Sequence, residues 1–213
     1  MIIAVSGAHA GRPGIITNAG TGSFAFARDA AGALKRVGGW GYVYGDEGSA
    51  FDIARQALRA ALRMEEGWGP PTMLRALLLE AAQARSANEL LHWFYTPDYT
   101  RARIATYSRL VDQAAQAGDI VAAGVLDEAA QQLAGQTLAA RRMAFAPTAP
   151  ARAAYIGGVF HSARLLEAFR AKLESDNLTT VGPPLYGPAA GALLEAYRIV
   201  GLKVELSAVP TEK

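Results

Sequence analysis

Three glycine-bearing turns carry the residue types that could bind a phosphate or a sugar. The first, Ala19-Gly20-Thr21-Gly22-Ser23, separates two short apolar runs. Its glycines permit positive φ and close approach, its backbone N–H groups can form an anion-binding nest, and a hydroxyl of Thr21 or Ser23 can add a hydrogen bond to a phosphate. A strand rather than a helix follows, and no Gly-Lys-Ser/Thr occurs, so the turn is neither a dinucleotide-binding fingerprint nor a P-loop. Taken alone, this motif is better explained by an ordinary hairpin turn.

The second turn holds five glycines within the twelve residues 38–49, and it contains two adjacent carboxylates. Irregular backbone of this kind is typical of a binding site. Asp46 can accept a hydrogen bond from a substrate hydroxyl or help to hold Mg²⁺ through water, whereas Glu47 favours the positive start of the helix that follows. We therefore expect this loop to be functional.

The third turn, at Gly157-Gly158, ends an apolar run and leads into a helical pattern. Glycines at the carboxyl end of a strand let a flat ring or a phosphate lie against the backbone beside a helix N-terminus. Tight packing between the strand and the helix is the alternative explanation.

Composition excludes several classes of protein. The 213 residues include no cysteine, which rules out disulfides, cysteine-bound zinc and iron–sulfur clusters. The net charge is only +2, and no block of Lys and Arg indicates a nucleic-acid or membrane surface. The three histidines have no metal-ligand spacing, no run of 18 apolar residues occurs, and the N-terminus lacks a basic leader. These features predict a cytoplasmic domain without a protein metal site.

The elements that position these turns follow an α/β order. Period-2 patterning predicts an antiparallel meander of three short strands, and residues 2–10 indicate the end of a helix or a short buried segment. Ser49 is a predicted N-cap with Asp52 as its capping-box partner, opening the first long helix. Later elements are an insert of short helices (72–84, 86–94, 101–117), a long helix at 118–143, strands at 153–156 and 179–181, and helices at 162–173 and 188–200.

In their order and spacing these turns, together with Gly187-Pro188-Ala189-Ala190-Gly191-Ala192, resemble the C-terminal lobe of N-acetylglucosamine kinases of the BadF/BadG/BcrA/BcrD ATPase family, in the superfamily of sugar kinases, Hsp70 and actin. The resemblance covers nearly the whole chain from about residue 4. It implies a ribonuclease-H-like, actin-like ATPase lobe: a mixed sheet with a three-strand meander, helices on both faces, a core at about 11–63 and 118–205, and a helical insert at about 64–117. Residues 1–213 would then form a single lobe.

The resemblance also implies which residues bind ATP and which bind the sugar. The ATP-binding positions would be Gly20, Thr21, Gly22, Ala105, Gly157 and Gly158. The sugar-binding positions would be Ser23, Phe24, Gly39, Trp40, Gly41 and Asp46. ATP and Mg²⁺ are the implied cofactors, and the implied reaction converts N-acetylglucosamine into its 6-phosphate.

One departure from the family pattern concerns the catalytic residues. Family members carry an earlier lobe with an Asp-x-Gly-Gly-Thr phosphate loop and the aspartate that deprotonates the sugar; by spacing from Thr21, that aspartate would fall at or before Met1. We therefore expect no catalytic residue and no N-terminal lobe in this chain, no turnover, and weak nucleotide binding. Two alternatives stay open: an ATPase that activates a reductase, which the absence of cysteine disfavours, and a non-catalytic nucleotide-binding lobe.

The same reading predicts how the chain behaves in solution. The expected partners are ATP and an amino sugar, with neither nucleic acid nor membrane. Residues 2–10 would leave Ile2, Ile3 and Val5 exposed as an apolar surface, and such a surface favours poor solubility or a homodimer.

Overall fold

A five-stranded mixed sheet organises the chain in a computed structural model that describes residues 1–202 and 204–207. Its spatial order is β3-β2-β1-β4-β5, with antiparallel pairing within the meander and parallel pairing of β1 with β4 and of β4 with β5. The strands are β1 (Gly14–Ala19), β2 (Ser23–Arg28), β3 (Leu34–Gly38), β4 (Ala151–Ile156) and β5 (Thr179–Gly182). The predicted mixed sheet with its meander is confirmed. Because every strand except β2 runs in the same direction, the carboxyl ends of these four strands share one edge.

The helices follow the predicted order with two differences. The predicted helix over 101–117 is divided at Tyr107, and a short 3₁₀ turn at Gly158–His161 precedes the helix after β4. The α-helices are α1 (Ile2–Ala8), α2 (Ala50–Glu65), α3 (Leu74–Ala82), α4 (Ala87–Phe94), α5 (Arg101–Thr106), α6 (Ser108–Gln116), α7 (Ile120–Ala144), α8 (Ala163–Glu174) and α9 (Pro188–Ile199). The predicted core segment 118–205 includes residue 203, which with residues 208–213 lies outside the described part.

The start of α2 shows how a local sequence signal is realised. Ser49 accepts a hydrogen bond from the Asp52 N–H at 3.2 Å, as predicted for an N-cap. The carboxylate of Asp52 accepts from the Gly48 N–H at 3.1 Å and not from that of Ser49. The reciprocal bond of the capping box is therefore displaced by one residue, which ties the glycine-rich loop to the helix.

Both faces of the sheet are covered, because side chains alternate along each strand. Ile15 and Ala25 point into the larger core beneath α7 and α2, where Thr17 also bonds Thr137 at 2.6 Å between hydroxyls. Ile16 and Phe26 point into a smaller core on the opposite face. The predicted helices on both faces are confirmed.

Helix α1 contributes to the smaller core, which corrects one expectation. Val5 is fully buried there, so the expectation that it would be exposed is wrong. The reason is that the face of α1 that carries Val5 and Ala8 packs against the sheet. Ile2 and Ile3, one turn earlier, are 43% and 41% exposed as expected.

Helices α1 and α9 pack at very close range. A Cβ on Gly191 would lie 1.8 Å from the carbonyl oxygen of Ile3, so only glycine permits this approach. The contact buries an ion pair between Arg28 and Glu195 at 2.6 Å, and Glu195 also accepts a hydrogen bond from Ser6. Burial raises the pKa of Glu195, but the bonds from Ser6 and Arg28 outweigh this and leave that pKa lowered.

Among the described residues, no helix combines the length and apolarity needed to cross a membrane.

Candidate functional site

The first and third glycine turns touch each other at the shared edge of the sheet. Ala19 and Ile156 end the paired parallel strands β1 and β4, and Gly157 follows with φ 106°. A Cβ on Gly157 would lie 2.3 Å from the Ala19 carbonyl oxygen and 3.0 Å from the Gly20 nitrogen. Glycine is thus required at position 157 both by its backbone conformation and by this contact.

The phosphate-loop candidate, residues 19–23, is closed by a bond from the Gly20 N–H to the Gly22 carbonyl at 3.0 Å. The Gly20 carbonyl in turn accepts from the Ala50 N–H at 2.8 Å, which fixes the loop to the first turn of α2. Thr21 is exposed at the tip. Neither Gly20 nor Gly22 adopts the positive φ that glycine permits.

Gly22 is needed instead because the side chains of Arg101 and Asp46 lie very close to its backbone. A Cβ there would lie 2.8 Å from Nη2 of Arg101 and 2.9 Å from Oδ2 of Asp46. A Cβ on Gly20 would meet open space. Gly22 therefore lets an ion pair from two other segments lie against the loop.

Asp46 is the carboxylate at the centre of the site. It has φ 63°, a conformation uncommon for a residue other than glycine, and it is only 4% exposed. Oδ1 accepts from the Ser23 N–H at 3.3 Å, and Oδ2 accepts from Nη2 of Arg101 at 3.0 Å. The structure thus brings the predicted residues Ser23 and Asp46 together.

Arg101, on the first residue of α5, was not predicted as a site residue. It lies 55 positions from Asp46 in the chain, and no local pattern connects the two. The only signal in the sequence was Thr100, whose hydroxyl caps α5 and so fixes where the helix begins. The helical insert is therefore part of the site.

Two predicted sugar-binding residues point into the protein. The Ser23 hydroxyl donates to the Glu47 carbonyl at 2.7 Å, and the residue is buried. Phe24 is half-buried and packs against the smaller core, with the backbone of Gly39 beside its ring. Contact of these residues with a ligand would involve their backbone or a ring edge.

The loop after β3 presents an aromatic surface to solvent. Gly39 and Gly41 both have positive φ, and Trp40 between them is 71% exposed with the Arg36 guanidinium 5.2 Å from its ring. The Tyr42 ring packs edge-on against Phe51 at 5.2 Å. Glu47 at the end of the loop is held by Gln136 of α7, which the sequence did not single out.

A pocket of about 280 Å³ opens beside Gly158, between α6 and the 3₁₀ turn. Its walls combine apolar and polar side chains: Ile53, Ser108, Arg109, Asp112, Leu126, Val159, His161 and Ser162. Ser162 donates to Asp112 at 2.5 Å across the pocket wall. Ala105, the predicted nucleotide contact on the insert, is buried in α5 and does not line this pocket.

The residues described above do not form a preformed Mg²⁺ site. In the described part of the chain, no three His, Asp or Glu side chains cluster closely enough to hold a metal ion. Asp46 is already engaged by Arg101, whose positive charge opposes a cation at the same carboxylate.

A sequence profile described as the BadF/BadG/BcrA/BcrD ATPase family matches residues 2–196. The chain belongs to this family. Its similar relatives include an N-acetylmuramic acid/N-acetylglucosamine kinase of Clostridium acetobutylicum (38% identical over 131 residues, 62% of this chain and 43% of the relative) and an N-acetyl-D-glucosamine kinase of Dictyostelium discoideum (34% over 134 residues, 62% and 42%). The matches span less than half the length of either relative.

Solved structures agree with the family fold. A Chromobacterium violaceum protein assigned as an N-acetylglucosamine kinase superposes with a TM-score of 0.73 at 28% identity, over 91% of this chain and 62% of that one. A ROK family glucokinase from Streptomyces griseus, solved with glucose and AMPPNP, superposes with a TM-score of 0.50 at 19% identity, over 89% and 63%. The predicted sugar-kinase, actin-like fold class of this BadF/BadG/BcrA/BcrD family member is confirmed.

Proposed function

We propose that this chain is the nucleotide- and sugar-binding C-terminal lobe of an ATP-dependent kinase that phosphorylates an N-acetylated amino sugar, converting N-acetylglucosamine into its 6-phosphate. The observation that carries the proposal is the convergence of three glycine turns, the Asp46 carboxylate and a pocket at one edge of the sheet. Two relatives named as amino-sugar kinases support the substrate class.

The nucleotide would occupy the edge formed by β1 and β4. Gly157-Gly158 would lie against the adenosine, whose base fits the mixed lining of the neighbouring pocket. Gly20, Thr21 and Gly22 would face the phosphates, because Thr21 is exposed at the tip of that loop and α2 begins beside it. Ala105 would act through the packing of the insert.

The sugar would lie beside the loop after β3. Asp46 would accept a hydrogen bond from a sugar hydroxyl, and Gly39, Trp40 and Gly41 would supply backbone groups and an aromatic face. Ser23 and Phe24 would close the side of the site nearest the phosphates. Phosphoryl transfer depends mainly on such positioning and on neutralising the charge of the phosphates.

Catalysis also needs groups that this lobe would not supply. The first phosphate loop and the aspartate that deprotonates the sugar would belong to a preceding lobe, as the family resemblance implies. Mg²⁺ would accompany the ATP phosphates. A missing base alone would cost a factor of about 10²–10⁴ in rate.

Two measurements on the purified 213-residue chain test the proposal. We expect ATP titration to show weak but saturable binding and an N-acetylglucosamine phosphorylation assay to show no turnover. Absence of any ATP binding would contradict the nucleotide role. Robust turnover would show that a carboxylate within this chain, with Asp46 as the foremost candidate, serves as the base.

A further inference from the structure

Arg101 occupies a position where three parts of the site meet. Its Nη2 donates to Asp46 at 3.0 Å, and the same atom would lie 2.8 Å from a Cβ on Gly22. Its guanidinium carbon stands 5.4 Å from the centre of the Tyr42 ring. One side chain from the helical insert therefore contacts the phosphate-loop candidate, the central carboxylate and the aromatic loop.

The two members of the ion pair differ in their environments. The Asp46 side chain is 6% exposed and the Arg101 side chain is 37% exposed. Asp46 is held from the protein side by the Ser23 N–H, and Arg101 holds its other oxygen. A buried carboxylate with one remaining donor would rotate about its χ angles, so Arg101 fixes the direction of its lone pairs.

We propose that Arg101 is a positioning residue for sugar recognition: it orients the Asp46 carboxylate and thereby makes the helical insert a determinant of amino-sugar affinity. This inference rests on the proposed function of Asp46. Among the described residues no group bonds the buried Arg101 Nε, so the polar contact of the guanidinium with the site is made through Nη2.

The chain offers a matched control on the same helix. Arg103 also carries its guanidinium over an aromatic ring, that of Tyr99 at 4.0 Å, and donates to the Tyr99 hydroxyl at 3.4 Å. It does not contact Asp46. Arg103→Gln therefore removes a comparable charge and cation–π contact from α5 without touching the carboxylate.

The experiment uses ¹⁵N-labelled wild-type chain and the variants Arg101→Gln, Arg101→Lys and Arg103→Gln. The Ser23 amide, which donates to Asp46, reports on the carboxylate without any ligand. We expect its chemical shift to move in Arg101→Gln, to move less in Arg101→Lys, and to stay in place in Arg103→Gln. An unchanged Ser23 amide in Arg101→Gln would overturn the proposal.

Titration with N-acetylglucosamine and with ATP supplies the second readout. Losing one hydrogen bond to a charged group predicts about a 10-fold weaker sugar affinity in Arg101→Gln, with partial recovery in Arg101→Lys and ATP affinity within about 2-fold of wild type. Equal or tighter sugar binding by Arg101→Gln would overturn the proposal. If the wild-type chain binds no sugar, the role of Asp46 in sugar recognition fails, whereas the Ser23 amide still decides whether Arg101 orients the carboxylate.

Discussion

The α-carbon of Gly157 lies so close to Ala19 that a single methyl group would place a carbon 2.3 Å from the Ala19 carbonyl oxygen. This contact joins the ends of two parallel strands and sets the spacing between the phosphate-loop candidate and the Gly157-Gly158 turn. It also offers a direct test, because the neighbouring Gly158 has no such contact.

Gly157→Ala should destabilise the fold, whereas Gly158→Ala should not. The first variant combines a backbone conformation reserved for glycine with a clash against backbone, so we expect a loss of at least about 2 kcal/mol in the free energy of unfolding. The second should stay within about 0.5 kcal/mol of wild type and still weaken ATP binding. Urea unfolding and ATP titration measure both. Equal stability of the two variants would contradict the packing argument.

Asp46→Asn should weaken sugar binding far more than ATP binding. The amide cannot replace the carboxylate opposite Arg101, and a lost charged hydrogen bond corresponds to about 1.5–3 kcal/mol. Calorimetric titration of the chain, or of a longer chain that also carries the first lobe, measures both affinities. An equal loss of ATP affinity would show that Asp46 faces a different ligand.

The strands and glycine turns could be predicted from sequence because their signals are local. Short apolar runs marked the strands, and Gly20 and Gly157 marked where β1 and β4 end. The Asp46–Arg101 pair could not be predicted, since its members are brought together by the packing of the insert on α2. Val5 was mispredicted for a related reason: its burial depends on which face of α1 meets the sheet, and seven residues of helix do not reveal this.

Asp119→Ala should destabilise the chain in a pH-dependent way. Burial raises the pKa of Asp119, but bonds from Thr72 and from the N–H groups of Ala122, Met73 and Val121 outweigh burial and leave that pKa below its usual value. The carboxylate therefore contributes stability above about pH 4 that is lost as the pH falls. We expect the free energy of unfolding of Asp119→Ala to be about 2 kcal/mol below that of wild type at pH 7, and this difference to shrink as the pH falls.

Thermal unfolding of Asp119→Ala and wild type between pH 7 and pH 3 checks this expectation. Asp127→Ala is the matched control, because its bond to Arg164 joins two exposed side chains and contributes little. If the two proteins differ in unfolding temperature by the same amount at every pH in this range, the pH argument is contradicted.

His9 should make the fold sensitive to mild acid. Burial lowers the pKa of its imidazole to about 4, with the cations of Arg152, Arg12 and Arg28 acting in the same direction. The unfolded chain gains the proton near pH 6.5, whereas the folded chain resists it until about pH 4. The free energy of unfolding therefore falls by about 3 kcal/mol as the pH is lowered from about 6.5 to about 4. His9→Gln should flatten this slope. The exposed His92→Gln should not, and a similar slope in all three proteins would contradict the assignment.

The exposed start of α1 should promote association of the chain. Ile2 and Ile3 together present an apolar surface on one helical turn. Light scattering at increasing concentration should reveal dimers or larger species, and Ile2→Ser/Ile3→Ser should reduce them. Ile120→Ser removes an isoleucine that is 80% exposed elsewhere and should leave association unchanged. A monomeric wild-type chain at high concentration would contradict the expectation.

The ion pair between Arg28 and Glu195 has a consequence for how the protein is made. Its partners are 167 residues apart, and translation at roughly 5–20 residues per second separates their appearance by about 10–30 s. Throughout that interval the meander carries a guanidinium that has no counter-ion, on a face that α9 has not yet reached. The first strands of the nascent chain are therefore synthesised well before Glu195, the residue that pairs with Arg28 and Ser6.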